Sequence, residues 1–326
     1  MEKISNLSYK SLGNDFPIKV LKNKEILEMI ENKRISPFSF VLNPTNKCNL
    51  NCDFCSCKGD DRKTSLDLKK IKYFTNEFKT IKTVIIAGGG EPLCYKEFDD
   101  LIEFFYLKGI LMGLVTNGLL LPSHDIELID KISWIRISLS KDSLDTGIFD
   151  ILHKMITKVK KVKFGLSFVC SDDFNKDIET ISVFGQEFLE HINHFRIVND
   201  LWVLDDRVAK IKKHFEFNEL KNGHKLIFNE WTNHAKGKKK CYMPLLKPNI
   251  TATGEISPCC CIQFAKNNLR NRCFNEDQFS LGKIENAKES LNIDFYDGSN
   301  CDVCYYGAYN DLIDKLSQNI EDVEFI

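Results

Sequence analysis

Short apolar runs recur through the first two thirds of the chain, at Phe38–Leu42, Thr83–Ala87, Leu111–Thr116, Trp134–Leu139, Lys163–Val169 and His194–Val198. Their length and their β-branched or aromatic content predict strands. Between them lie segments with apolar residues at helical spacing: Leu66–Phe78, Lys96–Lys108, Ser123–Ile132, Leu144–Val159 and Asn175–Glu190. Strand and helix alternate in the order that gives parallel strands joined by right-handed helical crossovers. Six units fall short of the eight of a closed barrel. The expected fold class is therefore α/β, a partial (β/α)6 TIM-type barrel of parallel strands. In such sheets chemistry gathers at the carboxyl ends of the strands. The segments that fall there are Asn43 to Cys57, Gly88–Pro92, Asn117–Gly118, Ser140 with Asp142, and Cys170 to Asp173.

The flanking regions read differently. Residues 1–36 are polar and Lys-rich, with an amphipathic stretch from Ile18 to Ile30 expected to form a covering helix; residues 37–200 hold the barrel. Residues 201–240 are charged and end in Lys236-Gly237-Lys238-Lys239-Lys240, which reads as a solvated linker. Residues 241–326 form a small Cys-rich region with two short strand-like runs around Thr253-Gly254 and a final helix. No apolar run reaches the length of a membrane span, and the amino end lacks the apolar core of a signal peptide, so a cytoplasmic protein without a membrane partner is expected. The formal net charge is -1, which gives no counterion-release drive toward nucleic acid. Of the 45 basic residues 38 are Lys, so the basic surface is mostly point charge and poor in guanidinium forks.

The 13 cysteines change the picture. Without a secretory signal a disulfide framework explains them poorly, and thiolates around a metal explain them better. Cys48, Cys52 and Cys55 stand in the spacing C-x3-C-x2-C directly after the first strand. Three thiolates on one loop can hold three corners of a cubane cluster and leave the fourth iron open. A closed zinc site normally takes four ligands; Cys57 as the fourth would make a cramped chelate with Cys55. Gly88–Gly90, after the second strand, would let backbone approach a ligand closely, although a plain strand-to-helix turn would also use glycine.

The cysteine loop and the sequence Gly89-Gly90-Glu91-Pro92, in this strand order, resemble the radical S-adenosylmethionine (SAM) superfamily over residues 38–200. The resemblance implies that Cys48, Cys52 and Cys55 hold a [4Fe-4S] cluster and that Phe54 lies near the adenine. It also implies that the backbone of Gly89, Gly90 and Glu91 receives the methionine amino group, with Ser140 and Asp142 near ribose or carboxylate. The implied activity is reductive cleavage of SAM and removal of a hydrogen atom from a substrate. An electron donor such as flavodoxin or ferredoxin comes with it. Cys170 is a candidate hydrogen donor, with inert packing as the alternative, and Cys94 reads as a packed small residue.

A second set, Cys241, Cys259, Cys301 and Cys304, can close a complete site from two separated segments. This arrangement resembles the auxiliary-cluster region called SPASM or, in its shorter form, twitch. It implies one auxiliary [4Fe-4S] cluster; zinc remains the alternative, and Cys260, Cys261 and Cys273 leave the ligand register open. His191 and His194 lack metal-like spacing, and Tyr305 and Tyr306 follow Cys304 as packing residues or cavity lining.

Three functions stay open at this point: a radical SAM enzyme on a small molecule, a peptide-modifying radical SAM enzyme, and a non-enzymatic iron–sulfur or zinc protein. About 36 residues before the first strand are too few for a leader-recognition domain, which favours the small substrate. Chain size, the Lys-, Asn- and Ile-heavy composition and the short tail resemble the queuine-cleaving lyases of queuine salvage. That resemblance implies C–N cleavage, with buried carboxylates to meet the N–H donors of a deazaguanine ring. Asp172, Asp173 and Glu255 are the carboxylates available for it.

Overall fold

A computed structural model describes residues 16–57, 61–200, 203, 205–217, 222–229, 236–261, 279–301, 304 and 306–318. Cys273 and Tyr305 lie outside the described residues. The six expected strands form as β1 (Ser39–Leu42), β2 (Thr83–Ile86), β3 (Leu111–Thr116), β4 (Trp134–Leu139), β5 (Lys163–Val169) and β6 (Phe195–Val198). All pair in parallel in chain order. Helices α3 (Leu68–Glu77), α4 (Phe98–Leu107), α5 (Ile126–Ile129), α6 (Ile148–Lys158) and α7 (Phe174–Phe188) provide the crossovers. Before them the covering stretch is two helices, α1 (Phe16–Leu21) and α2 (Lys24–Glu31). The break falls at Asn23, whose side chain accepts from the Ile26 amide at 3.2 Å and caps the second helix.

Two additions extend the sheet. The interval read as a charged linker carries helix α8 (Arg207–Phe217) and a seventh parallel strand, β7 (Leu226–Asn229), paired on β6. Its pattern was hard to see because α8 buries little more than Val208 and Ile211 among lysines, and β7 is half-buried throughout. At the opposite edge β8 (Asn249–Ile250) pairs in parallel with β1, and β9 (Glu255–Ser257) and β10 (Gly282–Lys283) follow antiparallel. These are the strand-like runs around Gly254, which turns between them at φ +77°. The sheet order is thus β10-β9-β8-β1-β2-β3-β4-β5-β6-β7.

Alternation along each strand divides the interior. Ile135, Ile137 and Leu139 of β4, Phe164, Leu166 and Phe168 of β5, and Phe195 and Ile197 of β6 point outward into the apolar layer shared with the helices. The alternate residues, including Trp134, Arg136, Ser138, Gly165, Ser167 and Arg196, face the barrel lumen. A second, smaller core joins Ile26 and Ile30 of α2 to Tyr242, Leu245, Leu246 and Ile313, so the amino-terminal helices cover the Cys-rich region. Among the described residues no helix is long and apolar enough to cross a membrane.

Lys225 closes the end of α7: its Nζ donates to the carbonyls of Leu189 at 2.5 Å and Ile192 at 2.9 Å. The Leu189 carbonyl, at the C-cap, is one that a helix end leaves without an intrahelical partner, and Ile192 lies in the turn beyond it. Lys225→Met is expected to cost about 1 kcal/mol, discounted for partial solvent access, as a lowered urea midpoint with an unchanged slope.

Candidate active site at the carboxyl ends of the strands

Beyond β1 the chain runs through Asn43 into the cysteine loop. The loop is tied down on both sides of its base: the Asn46 amide donates to the Thr64 carbonyl at 2.8 Å, and the Thr45 and Ser65 hydroxyls lie 2.7 Å apart. Cys48, Cys52 and Cys55 remain partly exposed. Burial pushes the Cys52 thiol up to about 11, with repulsion from Cys55 and Cys48 adding to it. The three sulfurs therefore act on one another across a single loop, and a bound cation would reverse that repulsion by favouring the thiolates. Phe54 is half-buried within the loop and Cys57 is buried beneath it. Cys94 stands beside this loop, where the Asn49 backbone and Cys48 both act on its thiol. Among the described residues no three His, Cys, Asp or Glu side chains already converge on a metal-sized point.

The glycine turn after β2 is locked to the same loop. The Gly90 amide donates to the Thr45 carbonyl at 2.8 Å and the Glu91 amide to the Lys47 carbonyl at 2.7 Å. A side chain at Gly90 would place its Cβ 2.0 Å from the Lys47 carbonyl oxygen, so only glycine permits this approach. Gly89 adopts φ +87°, a second reason for glycine here. The Glu91 side chain, in contrast, is buried and fully engaged. It accepts from the Leu93 amide at 3.1 Å, the Thr116 hydroxyl at 2.5 Å and the Asn117 amide at 2.8 Å. Burial nevertheless raises its carboxyl above the usual range. Asn117 then reaches back, donating through Nδ2 to Asn49 Oδ1 at 2.8 Å. Two strand ends are stitched together by one carboxylate, and the Glu91 backbone amide ties in the loop after β1, which makes Glu91 a positioning residue.

The remaining expected residues scatter. Ser140 follows β4, and its amide donates to the Ser143 hydroxyl at 2.8 Å. Asp142 is exposed and accepts from Lys176 Nζ at 3.1 Å. Asp172 accepts from Lys141 at 3.2 Å, Asp173 caps α7 through the Lys176 amide at 3.0 Å, and Glu255 is held by Lys283 and Ser280. None of these three carboxylates is a buried acceptor waiting in the lumen. Cys170 requires a correction as a hydrogen donor. It continues the outward face of β5 set by Phe164, Leu166 and Phe168, is 1% exposed, and belongs to the apolar core. Burial pushes its thiol far up, and the packed position makes it inert toward a ligand in the lumen.

Among the described residues, the second set of cysteines shares one neighbourhood without converging on a metal-sized point. Burial pushes the Cys241 thiol up to about 12, and Cys259 and Cys304 add to the shift. Tyr296, which exchanges both backbone hydrogen bonds with Cys241 at 2.9 Å, feels Cys301, Cys241 and Cys259. Gly237 and Gly298 make room: a Cβ on Gly237 would lie 2.7 Å from Cys301 Cβ, and one on Gly298 would lie 3.4 Å from Cys241 Cβ. Cys260 and Cys261 stand in contact with this group. Cys261 interacts with the Cys259 and Cys260 sulfurs, and Tyr306 Oη lies 3.4 Å from Cys260 Sγ. The interaction with Cys261 makes Cys260 the easier of the two to ionise.

Sequence reasoning missed the cations of the lumen. Arg136 on β4 and Arg196 on β6 face inward among apolar neighbours, and His194 is buried just before β6. Burial first, then Arg196 nearby, push the Arg136 guanidinium down to about 9, still cationic at neutral pH. Burial, Arg136 and Arg196 push His194 down to about 4, so it is neutral there. The available signal was an arginine set between large apolar residues in each strand, Ile135-Arg136-Ile137 and Phe195-Arg196-Ile197, in a chain with 7 arginines in all.

With this geometry in place, comparison with known proteins is informative. The sequence model of the Radical SAM superfamily matches residues 42–164, from the end of β1 into β5. GTP 3',8-cyclase of Staphylococcus aureus is 29% identical over 210 residues, covering 60% of this chain. The corresponding protein of Staphylococcus saprophyticus is 28% identical over 212 residues, again 60% of this chain. The matches span 59% of the length of these curated relatives. Among solved structures, Streptococcus suis SuiB bound to S-adenosylmethionine superposes with TM-score 0.55 at 18% identity, covering 96% of this chain and 83% of SuiB. SuiB bound to its precursor peptide SuiA gives TM-score 0.54 at 18% identity, covering 94% of this chain and 79% of SuiB. The SuiB likeness is one of fold. Residues 42–164 are thus similar to a radical SAM domain. That class implies a [4Fe-4S] cluster and SAM as its cofactors.

The residues present fit those groups by donor chemistry: three thiols share one loop, and a glycine turn lies against its base. Gly90→Ala is expected to push the turn off the cysteine loop. Cluster content after anaerobic reconstitution, read as iron per chain and absorbance near the charge-transfer band, should fall to less than about half of wild type. Full cluster content in this variant would show that the two segments do not depend on each other.

Proposed function

We propose that this enzyme removes a hydrogen atom from a small molecule held in the barrel lumen. Cys48, Cys52 and Cys55 hold its reducing [4Fe-4S] cluster, and the backbone of Gly89–Glu91 receives SAM, with Phe54, Ser140 and Asp142 at the margins of that site. The single observation that carries this reading is the pair of hydrogen bonds from Gly90 and Glu91 to Thr45 and Lys47, which sets the glycine turn against the cysteine loop. The cluster and SAM together supply reductive cleavage to a 5'-deoxyadenosyl radical, with the electron coming from a donor of the flavodoxin or ferredoxin kind. Cys241, Cys259, Cys301 and Cys304 hold an auxiliary [4Fe-4S] cluster, with Cys260 and Cys261 as neighbours that can exchange register with Cys259. The Cys-rich region joins the same sheet through β8, which pairs with β1.

Two substrates with a guanine-type ring define the finer question. C–N cleavage of queuine is the form to which chain size and composition point, and a reaction on GTP is the form that the names of the curated relatives give. The engagement of Asp172, Asp173 and Glu255 in other contacts removes the carboxylates invoked for ring recognition of queuine. The relatives' name is the observation that favours the second form.

The test is anaerobic. The full chain is reconstituted with iron and sulfide, given reductant and SAM, and 5'-deoxyadenosine is quantified alone, with queuine and with GTP. Cys55→Ala is the control. Deoxyadenosine is expected from wild type and is expected to fall at least tenfold in the control, the range for losing a cluster ligand. A rise with queuine and release of its aminomethyl base would select the lyase; a rise with GTP would select the nucleotide. No deoxyadenosine from wild type under any reducing condition would overturn the reading.

A further inference from the structure

The barrel lumen holds two positive charges for which the described residues offer no carboxylate. Arg136 pairs across the sheet with Val115 of β3 and Gly165 of β5, and Arg196 pairs with Ser167 of β5 and Ile227 of β7. One strand, carrying glycine and serine at these levels, separates the two arginines. Adjacent strands lie about 4.8 Å apart and the two levels differ by two residues along β5, so the two backbone positions stand about 12 Å apart, a span two long guanidinium side chains can close around one small anion. Arg136 sits three residues before the end of β4, about 10 Å below the mouth at ~3.3 Å per residue. That depth separates it from the glycine turn at the rim.

The floor of this space is built. The Trp134 ring covers Gly113, where a Cβ would fall 2.1 Å from the ring, and the His194 ring covers Gly165 at 2.6 Å. Arg136 lies above Trp134, its guanidinium carbon 5.9 Å from the ring centroid. Arg196 Nε is buried without a hydrogen-bond partner, and so is His194 Nε2. The acidic group whose charge reaches Arg136 is the Cys260 thiol, and it does not figure among the influences on Arg196. A buried guanidinium donor without an acceptor is costly, and two like charges placed together compound that cost. Arg136 and Arg196 are half-buried, and the unpartnered Arg196 Nε is itself fully enclosed.

We propose that Arg136 and Arg196 form an oxyanion pocket that binds the phosphate or carboxylate group of the substrate. The pocket deepens the reading given above and rests on it only for the word substrate. Two guanidinium forks match the charge and the planar acceptor geometry of a phosphate monoester or a pair of carboxylate oxygens. Neutral His194 adds a polar edge without a further charge.

The experiment is calorimetric titration of the reconstituted full chain, under anaerobic conditions with SAM present, using inorganic phosphate, pyrophosphate and succinate as probes. One of these probes is expected to bind, and its affinity should fall about tenfold or more in Arg196→Gln and in Arg136→Gln, as for loss of a charge-assisted hydrogen bond. The phosphate and succinate arms separate the two oxyanion sources. Thermal midpoint without probe gives an independent readout: removing a buried, unpaired charge should raise it or leave it unchanged, whereas a structural arginine would lower it. The proposal is overturned if no probe binds wild type at millimolar concentration. It is equally overturned if the variants bind the probe as wild type does, or if they lose affinity for SAM and keep it for the probe. Deoxyadenosine formation by wild type from the same preparation reports separately on the radical SAM reading, so the two can fail independently.

Discussion

The arrangement depends on one buried carboxylate. Glu91 gathers the ends of β2 and β3 by accepting from Leu93, Thr116 and Asn117, while its backbone amide holds Lys47 of the cysteine loop. A carboxylate in an apolar setting is unfavourable unless its lone pairs are filled, and here three donors fill them. The consequence is positional. The loop with three thiols and the turn with two glycines cannot drift apart without breaking a satisfied buried network. The glycines serve the same end, since Gly90 owes its identity to the Lys47 carbonyl as much as to any ligand.

Electrostatics gives the two cysteine groups different surroundings. The first lies at the rim with all three thiols partly exposed, open to a ligand that completes the site. The second, also partly exposed, sits among Tyr296, Tyr306 and Asn310, whose Nδ2 donates to Cys241 Sγ at 3.5 Å. Hydrogen bonds to sulfur and exclusion of solvent are the levers by which a protein sets the potential of a thiolate-held cluster. The sheet's inner face carries two positive charges, Arg136 and Arg196. A cationic substrate would meet repulsion there, and an anionic one would find forks already in place.

Much of this was legible before any coordinates. The six strands follow from β-branched runs, and the cysteine loop and the glycine turn stand at the ends of the strands where alternation puts them. The strand carried by Leu226–Asn229 was not legible, because an edge strand with half-buried residues loses the alternation that marks its neighbours. Cys170 misled because sequence places it at a strand end without stating which face it joins. One residue of parity separates a lumen side chain from one packed beneath a helix. Arg136 and Arg196 were overlooked for the opposite reason: a count of basic residues averages over position, and two buried arginines vanish among surface lysines.

The pairing of β8 with β1 ties the chain's last quarter to its first strand. Val41 meets Asn249 across a separation of some two hundred residues, and β1 lies in the interior of the sheet only once β8 is in place. During synthesis the strand that leads into the cysteine loop therefore emerges early and waits with one edge bare. Such non-local closure is slow, and an unpaired edge invites pairing with the wrong chain. The strand that leads into the cysteine loop is thus flanked on both edges only when chain synthesised some two hundred residues later has folded back onto it.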